Sequence, residues 1–285
     1  MVIIRTTRAL SAYLAARIPG PRLGFIPTLG ALHDGHLSLV REARDRGCFT
    51  VCSIFVNPTQ FNDPADYAKY PKTIDQDVLL LEGAGVDVLF LPSVEEMYPN
   101  GTQPTKHYDL GYLETVLEGK YRPGHFQGVC QVVERLLRIV RPDDLFMGQK
   151  DYQQCMVIKR LIVLESLPVN LVVCPIRRES DGLAMSSRNL RLDEARRQSA
   201  TALFQALEWI KTSLKASAQG DPVIVEPLMA EASDRLTARG FRVDYVAVAD
   251  AEDLTLLDTW GRERPAVILI AAYSEDVRLI DNELL

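Results

Sequence analysis

The chain has no run of about 18 consecutive apolar residues, the length a membrane-spanning helix needs, and its opening MVIIRTTRALSAYLAARI interrupts a short apolar stretch with arginines. Neither a membrane span nor a secretory leader is expected, and a cytoplasmic protein is. An excess of positive charge is also missing: 32 lysines and arginines face 38 acidic residues, for a net charge of −6. That sign is wrong for a surface that must neutralise many phosphates, so no nucleic-acid partner is expected. Cysteine is sparse and odd in number. Cys48, Cys52, Cys130, Cys155 and Cys174 lie mostly in apolar runs such as FTVCSIFV and LVVCPI, which reads as buried free thiols. Cys48 and Cys52, four apart in a strand-like segment, stand too far from each other to bridge. With four histidines and no H-E-x-x-H, only His107 and His125 remain to complete a ligand set around His33 and His36, which disfavours zinc. There is no internal repeat and no low-complexity segment.

What is present is ordinary for a globular chain, 47% hydrophobic and 25% charged. Its 285 residues exceed a typical domain of roughly 100–200, so one large domain, or a large and a small one, is expected.

Along the first half, short β-rich apolar runs alternate with helical patterns, the arrangement of a parallel sheet wrapped by crossover helices. Strands are expected at 23–28 (LGFIPT), 50–56 (TVCSIFV), 86–91 (VDVLFL), 145–147 in RPDDLFM and 170–175 (NLVVCP). Helices are expected at 36–46, 74–84, 128–140 and 152–164, with Pro and Gly at the breaks. After about Arg177 the character changes. The loop RRESDGLAMSSRNLRL leads to long helical stretches at 193–216 and 225–239. The closing FRVDYVAVAD and PAVILIAAYSEDVRLIDNELL read as strands close enough in sequence to pair antiparallel. The expected division is a larger domain over 1–176 and a smaller one over 177–285.

In GFIPTLGALHDGHLSLVREAR a strand ends in a Gly-containing loop, and His33 and His36 stand at the opening of an amphipathic helix, on one face of it. A helix N-terminus offers unpaired N–H groups and a positive dipole end, so two imidazoles added there suit the phosphates of a nucleotide. An isolated H-x-x-H is often a surface pair. Its place here speaks for function, because ligands of open α/β sheets sit beyond the carboxyl ends of the strands.

The segment PTLGALHDGH resembles the PTMGALHEGH segment of pantothenate synthetases, a form of the H-x-G-H motif shared by nucleotidyltransferases and class I aminoacyl-tRNA synthetases. SIFVNPTQF, YPKTIDQD, YRPGHFQGV, GQKDYQQ, DGLAMSSRN and AVILIAAYSEDVRLIDN match blocks of the same family in order, through almost the whole chain. H-x-G-H alone marks only a superfamily, whereas FVNPTQF and KDYQQ are particular to this family.

The resemblance implies a Rossmann-like, parallel-sheet nucleotidyltransferase domain bearing ATP and pantoate. It implies a smaller C-terminal α/β domain, with a short antiparallel sheet, that closes over the active site. It also implies an AMP-forming carbon–nitrogen ligase that condenses pantoate with β-alanine to pantothenate through a pantoyl-adenylate, with Mg2+ accompanying ATP and a homodimer as the assembly. Carried over position by position, ATP contacts fall on Leu29, Gly30, Ala31, Leu32, His33, Asp34, Gly35 and His36, on Gly148, Gln149, Lys150 and Asp151, and on Arg177, Met185, Ser186, Ser187 and Arg188. His36 takes the family's role of proton donor, with His33, Lys150 and Arg188 beside it in catalysis. Gln60 and Gln154 take pantoate, and Gln60 also meets β-alanine. Tyr70, His125 and Asn57 stand in matching blocks and line the site. Asp75 and Asp77 in TIDQD are weak metal candidates, since carboxylates opening a helix are commonly dipole partners.

The residue types suit these roles. A transition state at the α-phosphorus gathers charge on non-bridging and leaving oxygens, which cations and hydroxyl donors stabilise without moving a proton. Lys150, Ser186, Ser187 and Arg188 are of those types, although a lone serine cluster is more often a helix cap. The amides of Gln60 and Gln154 can pair with both a hydroxyl and a carboxylate without neutralising the nucleophile.

Three positions depart from the family pattern: Leu29 replaces a methionine of similar volume, Gln149 replaces an acidic residue beside Lys150, and Arg177 replaces a commonly apolar residue. Two other readings stay open on sequence. One is a nucleotidyltransferase of the same superfamily with another small substrate; the other is a catalytically silent nucleotide-binding regulator, which the intact His33, His36, Lys150 and Arg188 set speaks against.

Overall fold

The computed structural model describes residues 1–17, 20–62, 64–104, 106–216 and 222–285, which fall into two units. The first, Met1–Gly148 with Val157–Pro175, carries strands β1 (Val2–Ile4), β2 (Leu23–Thr28), β3 (Phe49–Ile54), β4 (Val88–Phe90), β5 (Asp144–Gly148) and β6 (Asn170–Cys174). Between them run helices α1 (Thr7–Ala15), α2 (Asp34–Asp45), α3 (Pro64–Ala68), α4 (Ile74–Gly83), α5 (Val94–Met97), α6 (Leu117–Tyr121), α7 (His125–Val140) and α8 (Tyr152–Leu164). The first turns of α8 belong to the second unit.

All six strands pair in parallel, in the order β1-β4-β3-β2-β5-β6. Strands of such a sheet are buried on both faces and read as unbroken apolar runs. Ile26, Cys52, Ile54, Leu89 and Phe146 pack with Leu39, Val40 and Ala43 of α2 and Leu81 of α4. The alternate residues Phe25, Val51, Val88 and Leu145 are buried as completely, so helices cover the sheet on its other side too. Pro27 sits in a central strand, where a missing N–H is normally excluded. It is tolerated because the ladder from β2 to β5 registers only Gly24↔Asp144 and Phe25↔Leu145 and has ended before Pro27. From β2 the chain builds outward through β3 to β4 and then crosses back to place β5 on the other side of β2, so the carboxyl ends of β2 and β5 form the switch point of the sheet.

The second unit, Gln149–Met156 with Ile176–Leu285, holds α9 (Glu194–Ser199), α10 (Ala202–Ala216), β7 (Val223–Ile224), α11 (Glu226–Ala238), β8 (Arg242–Asp250), β9 (Thr259–Trp260), β10 (Ala266–Ser274) and β11 (Val277–Leu284). β11, β10 and β8 make the antiparallel sheet expected of the chain's closing segment, with β7 and β9 as a separate pair. α10 packs on β10 and β11 and α11 on β8, around a core that includes Leu207, Ile210, Ile268 and Ile270.

Two expected helices need correction and two elements are additional. The single helix over 193–216 is two helices: Ser199 Oγ bonds back to the Arg196 carbonyl at 3.0 Å and Thr201 Oγ1 to that of Gln198 at 2.8 Å, which competes with helix continuation at the joint. The helix expected from 128 starts at His125, after Gly124 with φ 79°. The strand β1 and helix α1 were not expected; β1 is three residues long with Val2 and Ile3 exposed at the sheet edge, too short for a periodic signal. No helix among the described residues is long and apolar enough to cross a membrane.

Candidate active site

The loop leaving β2 is shaped by two successive left-handed residues, Gly30 (φ 87°) and Ala31 (φ 49°). Gly30 suits glycine doubly, since a Cβ there would stand 3.2 Å from Asp77 Oδ2 and 3.1 Å from Ile54. Asp77, in the first turn of α4 and only 1% exposed, holds the turn: Oδ2 accepts the N–H of Ala31 at 3.0 Å, and Oδ1 accepts that of Leu32 at 2.8 Å and the Thr73 hydroxyl at 3.1 Å. Asp77 is therefore a buried acceptor for backbone donors, while Asp75 is exposed on the same turn.

His33 does not lie on the helical face with His36. It is the N-cap of α2, with extended backbone (φ −139°, ψ 175°), and His36 is the third helical residue. The cap geometry still brings the rings together, with centroids 4.0 Å apart. His36 Nδ1 accepts the His33 N–H at 3.4 Å, which favours the tautomer carrying its proton on Nε2.

The turn Pro58–Gln60 after β3 is fixed by residues expected to line the site. Asn57, fully buried, accepts the Tyr98 hydroxyl at 2.7 Å and the Thr59 hydroxyl at 3.1 Å on Oδ1. Its Nδ2 donates to Gln60 Oε1 and to the Gly128 carbonyl, both at 3.2 Å. His125 Nδ1 lies 2.8 Å from the Gln60 carbonyl. With Oε1 taken by Asn57, the Gln60 amide presents Nε2 as a donor. Gly128 is where α7 passes the turn: a Cβ there would come within 2.1 Å of the Thr59 carbonyl oxygen. The buried Tyr70 packs edge-on against Phe61, the residue after Gln60.

In the second unit, Gln149–Asp151 form a single 3-10 turn leading into α8, which carries Gln154 half-buried. The Lys150 ammonium lies 3.8 Å from the exposed Asp151 carboxylate. Gln149, in place of the family's acidic residue, donates its amide to Asn282 Oδ1 at 3.2 Å, and Asn282 Nδ2 donates to the carbonyls of Gln149 (3.0 Å) and Lys150 (2.9 Å).

The segment carrying Met185–Arg188 is a loop pinned at its foot by a bridge between Arg178 and Ala184 and by the Met185 N–H on the Arg177 carbonyl at 3.0 Å. Ser186 is a cap in fact as well as in residue type: its hydroxyl accepts the Arg188 N–H at 3.2 Å at the start of the 3-10 turn Ser187–Arg191. Arg177 is exposed, whereas Arg178 is paired with Asp281 at 2.7 Å and stacks on Phe204 at 4.6 Å.

All five cysteines are free and buried, as expected. Burial pushes the thiols of Cys52 and Cys130 up to about 12 and that of Cys174 to about 11, so none of these three is a thiolate near neutrality. Sequence reasoning missed Tyr98, Gly128, Arg178, Asp281 and Asn282. Gly128, Asp281 and Asn282 lie in blocks that match the family, but at Gly128 the glycine read as the start of a helix instead of a close backbone approach inside one.

A parallel sheet covered on both faces, with a His pair opening the helix after its central strand, places the chain among the doubly wound α/β proteins. Within them it belongs to the pantoate-beta-alanine ligase family, whose model matches residues 2–284. It is 41% identical to the pantothenate synthetase of Bacteroides fragilis and 42% to that of Bacteroides thetaiotaomicron, each over 99% of this chain and 98% of the relative. Among solved structures, a pantothenate synthetase from Thermus thermophilus superposes with a TM-score of 0.87 at 40% identity, over 99% of both chains. A pantoate-beta-alanine ligase from Francisella tularensis, complexed with beta-gamma ATP and beta-alanine, superposes with a TM-score of 0.80 at 35% identity, over 100% of this chain and 97% of that one.

Proposed function

We propose that the protein condenses pantoate with β-alanine at the expense of ATP, releasing pantothenate, AMP and pyrophosphate. The observation that carries this reading is the family match over residues 2–284, together with the His33–His36 pair at the head of α2. In the first step a pantoate carboxylate oxygen attacks the α-phosphorus of ATP, and pyrophosphate leaves. In the second the amine of β-alanine attacks the acyl carbon of pantoyl-adenylate, AMP leaves, and the nitrogen gives up its proton. Splitting the condensation exchanges hydroxide, a poor leaving group, for AMP.

The loop of Leu29–His36 is assigned to the nucleotide, with His36 Nε2–H as the proton donor to a phosphate oxygen and His33 beside it. Lys150 and Arg188 supply positive charge to the departing pyrophosphate, and Ser186 and Ser187 add donors. Gln60, with Nε2 as its donor, and Gln154 take pantoate, and Gln60 also orients β-alanine. Magnesium is assigned as part of the incoming ATP, where it would offset phosphate charge. This fits a chain in which Asp77 is already taken up by the loop. The larger domain expected over 1–176 is assigned to ATP and pantoate and the smaller one over 177–285 to the 185–188 contacts and to closure during turnover, with the segment 149–156 grouping in the second unit. The working assembly is taken to be a cytoplasmic homodimer.

The test is direct: protein, ATP, magnesium, pantoate and β-alanine are incubated together and products are identified by mass. Pantothenate, AMP and pyrophosphate in equal amounts are expected. A nucleotidylated product without an amide, or nucleotide binding without turnover, would replace this reading with a nucleotidyltransferase or a silent regulator.

A further inference from the structure

Two consecutive residues of β11 hold both segments of the second unit to which triphosphate contacts are assigned. Neighbours on a strand point to opposite sides, so one dipeptide can serve two partners. Asp281, 3% exposed, takes the Arg178 guanidinium at 2.7 Å, and Arg178 also donates to the Gly182 carbonyl at 3.1 Å and the Asn282 carbonyl at 3.2 Å. These bonds fix the foot of the 185–188 loop. Asn282, 2% exposed, has every polar side-chain atom engaged by the 149–150 turn: Nδ2 on two carbonyls and Oδ1 on the Gln149 amide. A buried asparagine is costly unless all its bonds are made. Here they are made to Gln149 and to the backbone of Lys150, the residue that carries the ammonium.

We propose that Asn282 is a positioning residue for the first half-reaction, gripping the Gln149 and Lys150 carbonyls so that the Lys150 ammonium is aimed at the departing pyrophosphate, while Asp281 fixes the 185–188 loop beside it. The inference rests on the role assigned to Lys150. Small misplacements of a charged group cost rate out of proportion to any loss of binding. A carbonyl turn released from its amide therefore lowers turnover of the first step rather than substrate affinity. Gln149 is part of the same device, because its amide satisfies Asn282 Oδ1, which a carboxylate at position 149 does not.

The test compares the two half-reactions in Lys150→Ala, Asn282→Ala and the double variant. Adenylate formation is read as pyrophosphate–ATP exchange and amide formation from chemically made pantoyl-adenylate. Asn282→Ala is expected to slow exchange at least tenfold at saturating ATP and pantoate, with their dissociation constants within threefold and amide formation within threefold of the parent. Added to Lys150→Ala, it is expected to cost little more. Multiplicative losses in the double variant, or equal slowing of both halves, would overturn the positioning role. A Lys150→Ala protein with normal exchange would instead remove the assignment of Lys150. Should Asn282→Ala not fold, Gln149→Met, which leaves the carbonyl bonds but strips the donor from Asn282 Oδ1, carries the test: a threefold or greater loss confined to exchange at unchanged ATP affinity supports the proposal, and no loss, loss in both halves, or a loss that tracks weakened ATP binding overturns it.

Discussion

Asp77 holds Leu32: a carboxylate buried under the loop that follows β2 accepts the Leu32 N–H at 2.8 Å, and its other oxygen takes Ala31. Hydrogen bonds to a charged group contribute about 1.5–3 kcal/mol each. Asp77→Asn keeps the volume but turns an N–H₂ towards a backbone N–H. The expected result is a loss of about 1.5–3 kcal/mol in denaturant unfolding, with ATP affinity lowered and pantoate affinity nearly unchanged. Unaltered stability and ATP binding would show that the loop holds its shape without the carboxylate.

Gly128 and Thr59 give a second test, because a Cβ at 128 would overlap a backbone carbonyl that cannot swing aside. Gly128→Ala is expected to displace the Asn57–Gln60 turn, raising the KM for pantoate severalfold and lowering the unfolding midpoint. An unchanged KM in a folded Gly128→Ala protein would separate the turn from pantoate.

Gln154→Ala removes hydrogen bonds without changing charge. A lost neutral hydrogen bond is worth about 0.5–1.5 kcal/mol, more when a buried partner is stranded, and about 1.4 kcal/mol is tenfold in affinity. Calorimetric titration is expected to show pantoate binding weakened by roughly an order of magnitude and ATP binding little altered. The reverse pattern would move this glutamine to the other substrate.

The acid limb of stability tests the network around Glu134 of α7, whose buried carboxylate is held by Tyr108 and by the more exposed Lys106 and Arg138. Burial disfavours ionised Glu134, but hydrogen bonds from Tyr108, Lys106 and Arg138 outweigh it and pull its carboxyl from 4.5 down to about 2. A carboxyl with a lowered folded value stabilises above its unfolded range and loses that contribution as pH falls towards the folded value. The stability gap between parent and Glu134→Gln is therefore expected to be full above about pH 5 and to close between about pH 4.5 and 2. Parallel unfolding curves over that range would contradict it.

Much of this was legible in the sequence, for identifiable reasons. Strand 23–28 and helix 152–164 fall where expected because an unbroken apolar run and a long periodic one have few alternatives. The ends failed where a side chain or a contact decided them, as at the cap His33 and at Gly128, a helix interior that looked like a start. The roles of Asn57 and Asp77 as braces, and of Asn282 as the partner of Gln149, depend on contacts 41 to 133 residues apart in the chain. No local pattern carries such contacts.

In the proposed reaction pantoate is activated as an adenylate before the amine takes part. Labelled pyrophosphate offered to the protein with ATP, magnesium and pantoate, but without β-alanine, measures that step alone. Label is expected to appear in ATP at a rate comparable to or above overall turnover, and not at all when pantoate is omitted. Exchange that requires β-alanine would contradict it.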